Sequence, residues 1–197
     1  MKINEYENRR LKLIADEIKG NKILDIGYAS IPNSYISDCY LTGYDLEFSK
    51  QKISNYNETI QGDVKLIKKK LKNRNFDTII CGELIEHLEN PYHLLRDLHH
   101  LLKKDGRLII STPNPFGFPV FIFELFRNKK YYYNKSHKYY FLPRWVNRLL
   151  EDTGYRICNL IPVGFWLPYK PIPVCPKSFS YQIIYISEKK DEIKISK

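Results

Sequence analysis

Carboxylates recur in this chain where apolar runs end. Asp25 closes the run Lys22-Ile-Leu and is followed by Gly27 and the small residues Ala29 and Ser30. Asp45 closes Tyr40-Leu-Thr-Gly-Tyr, 20 residues beyond Asp25, and Asp63 follows Glu58-Thr-Ile-Gln-Gly. A buried strand delivers such residues to its C-terminal edge, where an open α/β sheet holds its ligand. A carboxylate at the distance of Asp45 suits a ribose, because it accepts from both hydroxyls of the diol. Asp63 is placed to reach an adenine amine. These positions point to a nucleoside-containing ligand.

Two further groups carry titratable chemistry. Glu83, Glu86 and His87 form E-x-x-E-H within the segment Phe76–Pro91. Carboxylates and an imidazole can hold a divalent cation that lowers the pKa of a hydroxyl. A structural role with no metal is the expectation for them. His137 lies in Asn134-Lys-Ser-His-Lys-Tyr-Tyr-Phe-Leu-Pro143. Lys135 and Lys138 on either side disfavour its protonation, which keeps the imidazole available as a base near neutral pH. Packing of the segment is the plainer role for it.

Positioning these residues requires strands near 22–26, 40–44, 58–61, 77–81 and 107–112, with two late strands near 155–163 and 180–187. Leu11, Ile14, Ala15 and Ile18 repeat at helical spacing before the stop at Gly20, so residues 5–19 form a helix. Pro32 offers a first helical position after the first strand. Asn90 caps a helix with Pro91 in its first turn and Leu94, Leu95, Leu98, Leu101 and Leu102 inward. Another starts at Pro143, buries Trp145, Val146, Leu149 and Leu150, and stops at Gly154. Alternating strands and helices imply an α/β fold, a doubly wound parallel sheet with right-handed crossovers. The whole of 1–197 reads as one domain, with additions at 115–142 and 167–178 and a charged tail at 188–197.

In order and spacing, residues 20–114 resemble the motifs of the class I S-adenosylmethionine-dependent methyltransferases. The specific part is FD-x-I-I…E-x-x-EHL-x-x-P followed by LK-x-x-G-x-L-I-I-S-T-P-N. The resemblance implies a Rossmann-like sheet of seven strands, mostly parallel, with an antiparallel last strand inserted beside the fifth. It implies S-adenosylmethionine as cofactor, with Asp25, Gly27, Tyr28 and Ala29 at its methionine part and Asp45 at the ribose. Leu46, Asp63 and Val64 would surround the adenine, and Cys81, Gly82 and Glu83 would close the pocket. The sequence departs from the family's acidic-x-Gly-x-Gly-x-Gly turn at Ala29 and Ile31. E-x-x-E-H is similar to the spacing in ubiquinone-pathway O-methyltransferases, where the three residues can bind a divalent cation. The segment around His137 is similar to one in glycan- and lipid-modifying methyltransferases that brings the His to the acceptor, which makes His137 the catalytic candidate. The implied reaction is methylation of an oxygen on a small molecule, a sugar or a lipid-linked glycan. RNA methylation and a non-catalytic S-adenosylmethionine-binding role are the alternatives.

Composition limits the partners. A chain of 197 residues with 43% hydrophobic and 27% charged residues supports one globular core. No apolar run approaches the roughly 18 residues that span a bilayer, and the polar N-terminus is no signal peptide, so a cytoplasmic protein is expected. Cys39, Cys81, Cys158 and Cys175 are too scattered for a zinc site. The net charge of +10 favours an acidic neighbour: nucleic acid, a phosphorylated substrate or an anionic membrane. Phe116–Phe126 is rich in phenylalanine, and Arg127, Lys129 and Lys130 follow it. That pairing suits a peripheral contact at the inner membrane surface, an aromatic lid, stacking surfaces for a single strand, or extra core packed against the sheet edge.

Overall fold

The computed structural model describes residues 5–51, 53–117, 126, 136–167, 170–172 and 179–190. Helix α1 (Glu5–Asp16) precedes strands β1 (Lys22–Ile26), β2 (Tyr40–Asp45) and β3 (Glu58–Gln61). A one-turn α2 (Ile67–Lys70) leads to β4 (Phe76–Gly82), α3 (Pro91–Leu101) and β5 (Leu102–Pro113). Then come α4 (Pro143–Asp152), β6 (Tyr155–Pro162), the short strands β7 (Phe165–Leu167) and β8 (Lys170–Ile172), and β9 (Gln182–Lys189).

The main sheet runs β3-β2-β1-β4-β5-β9-β6. Its first five strands are parallel, and β9 lies antiparallel between β5 and β6. The expected seven-stranded Rossmann-like sheet with an inserted last strand is therefore present. Strand alternation divides the core between two faces. Leu24, Ile26, Ile79, Cys81, Leu108 and Ile110 pack with Leu94, Leu95 and Leu98 of α3 and Val146, Leu149 and Leu150 of α4. Ile23, Leu41, Ile80, Ile109 and Ile184 face the other way, toward Ile14 of α1. The Asn90 side chain accepts from His93 N at the start of α3, as its sequence predicts. Trp145 differs from expectation: it is exposed rather than inward.

The helix expected from Pro32 does not form. Residues 27–39, between β1 and β2, contain no helix, and neither do the described residues of the β2–β3 connection. Ile31 stands before a proline, which biases it away from helical angles, and Ser30, Asn33 and Ser34 compete for main-chain hydrogen bonds. Side chains stitch the loop instead. Asn33 Nδ2 donates to Leu11 O (3.0 Å), and Asn55 Nδ2 donates to Asn33 O (2.9 Å) and Ile36 O (3.0 Å). A second difference is the pairing of β7 with β8, where sequence reading had only an insertion from residue 167. Most of the aromatic and basic stretch, including Arg127, Lys129, Lys130 and Lys135, lies outside the described residues, as does Cys175.

Candidate active site

A cavity of about 440 Å³ opens at the C-terminal edge of the sheet, on the α1 face. Its size falls in the usual range for small-molecule sites. Asp25, Gly27 and Tyr28 from the end of β1, Asp45 from β2, and Gly82 and Glu83 from β4 line it. Gly27 has φ 80, the left-handed turn that lets the chain leave β1 sharply. The Asp45 carboxylate accepts from Ala29 N (2.8 Å) and so ties this turn to the next strand. Ala29 and Ile31, where the family pattern has glycine, are not among the residues with positive φ, so neither strains the turn.

Asp25 is buried, and its Oδ2 accepts from Tyr56 OH at 2.6 Å. Burial pushes its carboxyl up to about 6; the Tyr56 bond and the Arg10 guanidinium resist that rise. Arg10 is only 4% exposed although it belongs to an amphipathic surface helix. Its Nε donates to Glu7 Oε2 (3.0 Å) and its Nη1 to Ser111 Oγ (3.2 Å). It reaches across Gly82, where an added Cβ would lie 2.6 Å from Nη1, so the glycine makes room for the guanidinium. Burial opposes the charge on Arg10, and Glu83 and Glu7 outweigh that cost. Glu83 itself adopts φ 50, a rare conformation for a residue with a side chain, and its N–H donates to Ser111 O (3.0 Å). Burial raises its carboxyl pKa, with Arg10 opposing.

Beyond Glu83 the chain makes a single helical turn at Ile85–His87, and the segment 136–139 is bonded onto it. Lys138 N and Tyr139 N both donate to Glu86 O, at 2.8 and 3.2 Å. This brings Glu86, His87 and His137 together, with one ligand-capable atom of each within 4.8 Å of the others. The His87 and His137 rings meet edge to face at 4.7 Å. Glu86 Oε1 and His137 Nδ1 are buried without a hydrogen-bond partner. Burial, and then the neighbouring Glu83, pushes the Glu86 carboxyl pKa up; burial, and then His87, pushes His137 down. The expected direction for His137 holds, but its cause is different. Lys138 turns outward to Glu89 (2.9 Å).

A methyltransferase-domain family model matches residues 3–160. The chain belongs to the class I S-adenosylmethionine-dependent methyltransferases. It is 26% identical over 179 residues to a ubiquinone biosynthesis O-methyltransferase of Coxiella burnetii, covering 79% of this chain and 73% of that one. A small RNA 2'-O-methyltransferase of Tetrahymena thermophila is 30% identical over 100 residues, 48% of this chain and 23% of the other. Among solved structures, an S-adenosylmethionine-dependent methyltransferase of Thermotoga maritima superposes with TM-score 0.72 at 17% identity, covering 94% of this chain and 89% of its own. Magnesium protoporphyrin IX methyltransferase of Synechocystis, solved with bound SAH, gives 0.64 at 13% identity, with 96% and 90% covered.

Within this methyltransferase, seven of the twelve residues expected from the sequence to bind the cofactor or act as the base share the cavity wall: Asp25, Gly27, Tyr28, Asp45, Gly82, Glu83 and His137; His87 joins them there. Five do not. Cys81 alternates onto the opposite sheet face and is fully buried in the core with α3 and α4. Ala29 spends its N–H on Asp45. Leu46 is 61% exposed. The Asp63 carboxylate caps the turn that follows it, accepting from Lys65 N (2.8 Å). Val64 lines a separate groove of about 370 Å³ with Leu88 and His93. Sequence reading missed Arg10, Glu7 and Tyr56. The signal for the first two was their position: Glu7, Arg10, Leu11 and Ile14 fall on one helical stripe, and a charged pair on a buried stripe requires a partner inside.

Proposed function

We propose that this enzyme methylates a hydroxyl oxygen of a small molecule, a sugar or a lipid-linked glycan. The observation that supports this best is the junction of two chemistries in one cavity. Carboxylates at the ends of β1 and β2 adjoin a histidine corner at the end of β4. Asp45 would accept from the ribose hydroxyls, and the adenine would extend outward past Leu46 toward Asp63 and Val64. Arg10 is the one arginine or lysine lining the cavity among the described residues, which fits it to the cofactor's carboxylate. Asp25 would face its ammonium.

The methyl sits on a sulfonium, so its leaving group needs no activation. The acceptor oxygen forms a bond to the methyl carbon as the carbon–sulfur bond breaks, and the hydroxyl proton passes to His137, whose lowered pKa keeps the imidazole neutral. One observation favours a second reading of the same corner. The partnerless Glu86 Oε1 and His137 Nδ1 beside His87 form a donor set suited to a divalent cation. A cation there would lower the pKa of the acceptor hydroxyl. Turnover that survives EDTA supports His137 as the base; turnover abolished by EDTA and restored by magnesium or manganese assigns the corner to a metal.

The +10 charge and the exposed Phe116, Tyr139 and Tyr140 support a contact with an anionic lipid surface around a lipid-linked acceptor. No helix among the described residues is long and apolar enough to cross a membrane. Labelled methyl transfer from S-adenosylmethionine into fractionated host lipid, glycan and RNA tests the acceptor class. Label in the glycan or lipid fraction is the expected result, and label confined to RNA overturns the proposal.

A further inference from the structure

Where β1 hands over to its crossover, a helix would present a row of N–H groups toward the ligand. Residues 27–39 supply none. Tyr56, from the connection before β3, fills this place. Its hydroxyl donates to Asp25 Oδ2 at 2.6 Å and accepts from Asn33 N at 3.0 Å, so one oxygen joins the cavity carboxylate to the main chain of the loop. Its ring packs on Tyr28, another cavity-lining residue, with centroids 4.9 Å apart. Asn55, its neighbour in sequence, holds the same loop through Asn33 O and Ile36 O but does not touch Asp25.

We propose that Tyr56 is a positioning residue of the cofactor site, its hydroxyl fixing the Asp25 carboxylate in one orientation toward the cationic amino-acid end of S-adenosylmethionine. This rests on the reading above, in which that end of the cofactor lies at Asp25. The groups around Asp25 are Arg10 from α1, Asp45 from β2, Cys81 from β4 and Tyr56 from the loop before β3, with Tyr28 against the Tyr56 ring. Asp45 and burial disfavour its charge; Arg10 and the Tyr56 hydrogen bond favour it, and of these two the Tyr56 bond is the larger. Without the hydroxyl, burial would raise the carboxyl further, and attraction for a cationic ligand would fade as it protonates.

The test is calorimetric titration of S-adenosylmethionine into the wild type, Tyr56→Phe and Asn55→Ala from about pH 5.5 to about pH 8.5, with melting temperatures alongside. Tyr56→Phe keeps the ring and should bind about tenfold more weakly near pH 7, because it loses a hydrogen bond to a charged group. The gap should narrow toward high pH, where Asp25 ionises without help. Asn55→Ala should lose affinity by a factor that does not change with pH. Asp25→Asn gives a second route: adding Tyr56→Phe to it should cost little further affinity. Wild-type affinity in Tyr56→Phe, a pH-independent loss matching Asn55→Ala, or full additivity with Asp25→Asn overturns the proposal. Failure of the wild type to bind S-adenosylmethionine overturns the cofactor reading itself.

Discussion

The connections after β1 and β2 contain no helix among the described residues, whereas those after β4 and β5 carry α3 and α4. On the α3–α4 side the sheet is covered by leucines, and Leu95, Leu98 and Leu150 are fully buried. On the β1–β2 side the loops are held by amide and phenol side chains bonded to main-chain groups, through Asn33, Asn55 and Tyr56. Burial is strong and indifferent to direction; hydrogen bonds are individually weaker but fix geometry. The residues that would grip the cofactor belong mostly to the hydrogen-bonded side. Stability and aim are thus assigned to different parts of one sheet.

That contrast can be broken from either side. The largest effect should come from Leu98→Ala, which empties a fully buried position and should cost about 2–5 kcal/mol in thermal or denaturant unfolding. The fraction that remains folded should bind S-adenosylmethionine with near wild-type affinity, because Leu98 faces away from the cavity. A parallel loss of intrinsic affinity would show that the two sides are not separable. Next is Asn55→Ala, which removes two hydrogen bonds from the loop and should cost about 1–2 kcal/mol of stability, measured the same way. A loss as large as that of Leu98→Ala would mean that the loop is part of the core.

The smallest expected effect is on the pH dependence of the ligand-free protein. Asp25, Glu83 and Glu86 all have carboxyl pKa values raised by burial. The folded state then binds protons more tightly than the unfolded chain. Their contribution is fully present below the ordinary carboxylate range and is lost as pH rises through the raised values. His99 and His137 are shifted down and act in the opposite sense, losing stability as pH falls through their lowered values. With three carboxyls against two imidazoles, the melting temperature should decline modestly from about pH 5 to about pH 8, and Glu86→Gln should flatten the decline. A melting temperature that rises over this interval would contradict the burial of these acids as protonated groups.

The first strands were legible in the sequence because apolar runs ending in Asp25 and Asp45 have few other uses. Cys81 was not legible as a core residue because its place at the end of β4 names no face: side chains alternate along the strand, so Gly82 borders the cavity and Cys81 packs against α3 and α4. The turn-forming character of Ser30, Asn33 and Ser34 argued against a helix more strongly than Pro32 argued for one. The pairing of Glu86 and His87 with His137 depends on two main-chain hydrogen bonds to Glu86 O from Lys138 and Tyr139, 52 and 53 residues further along the chain, which no local pattern encodes. Tyr56 was equally illegible, because a tyrosine in a polar loop acquires a role only once Asp25 is beside it.

The claim on which the rest depends is that the cavity at the ends of β1, β2 and β4 holds the cofactor through its carboxylates, and Asp45 tests it most directly. Calorimetric titration of S-adenosylhomocysteine, the demethylated product, should give one saturable site in the wild type. In Asp45→Ala, with two ribose hydroxyls left unpartnered, affinity should fall by about 1.5–3 kcal/mol, or roughly 10- to 150-fold. Equal affinity in the two proteins would contradict the placement of the cofactor in this cavity.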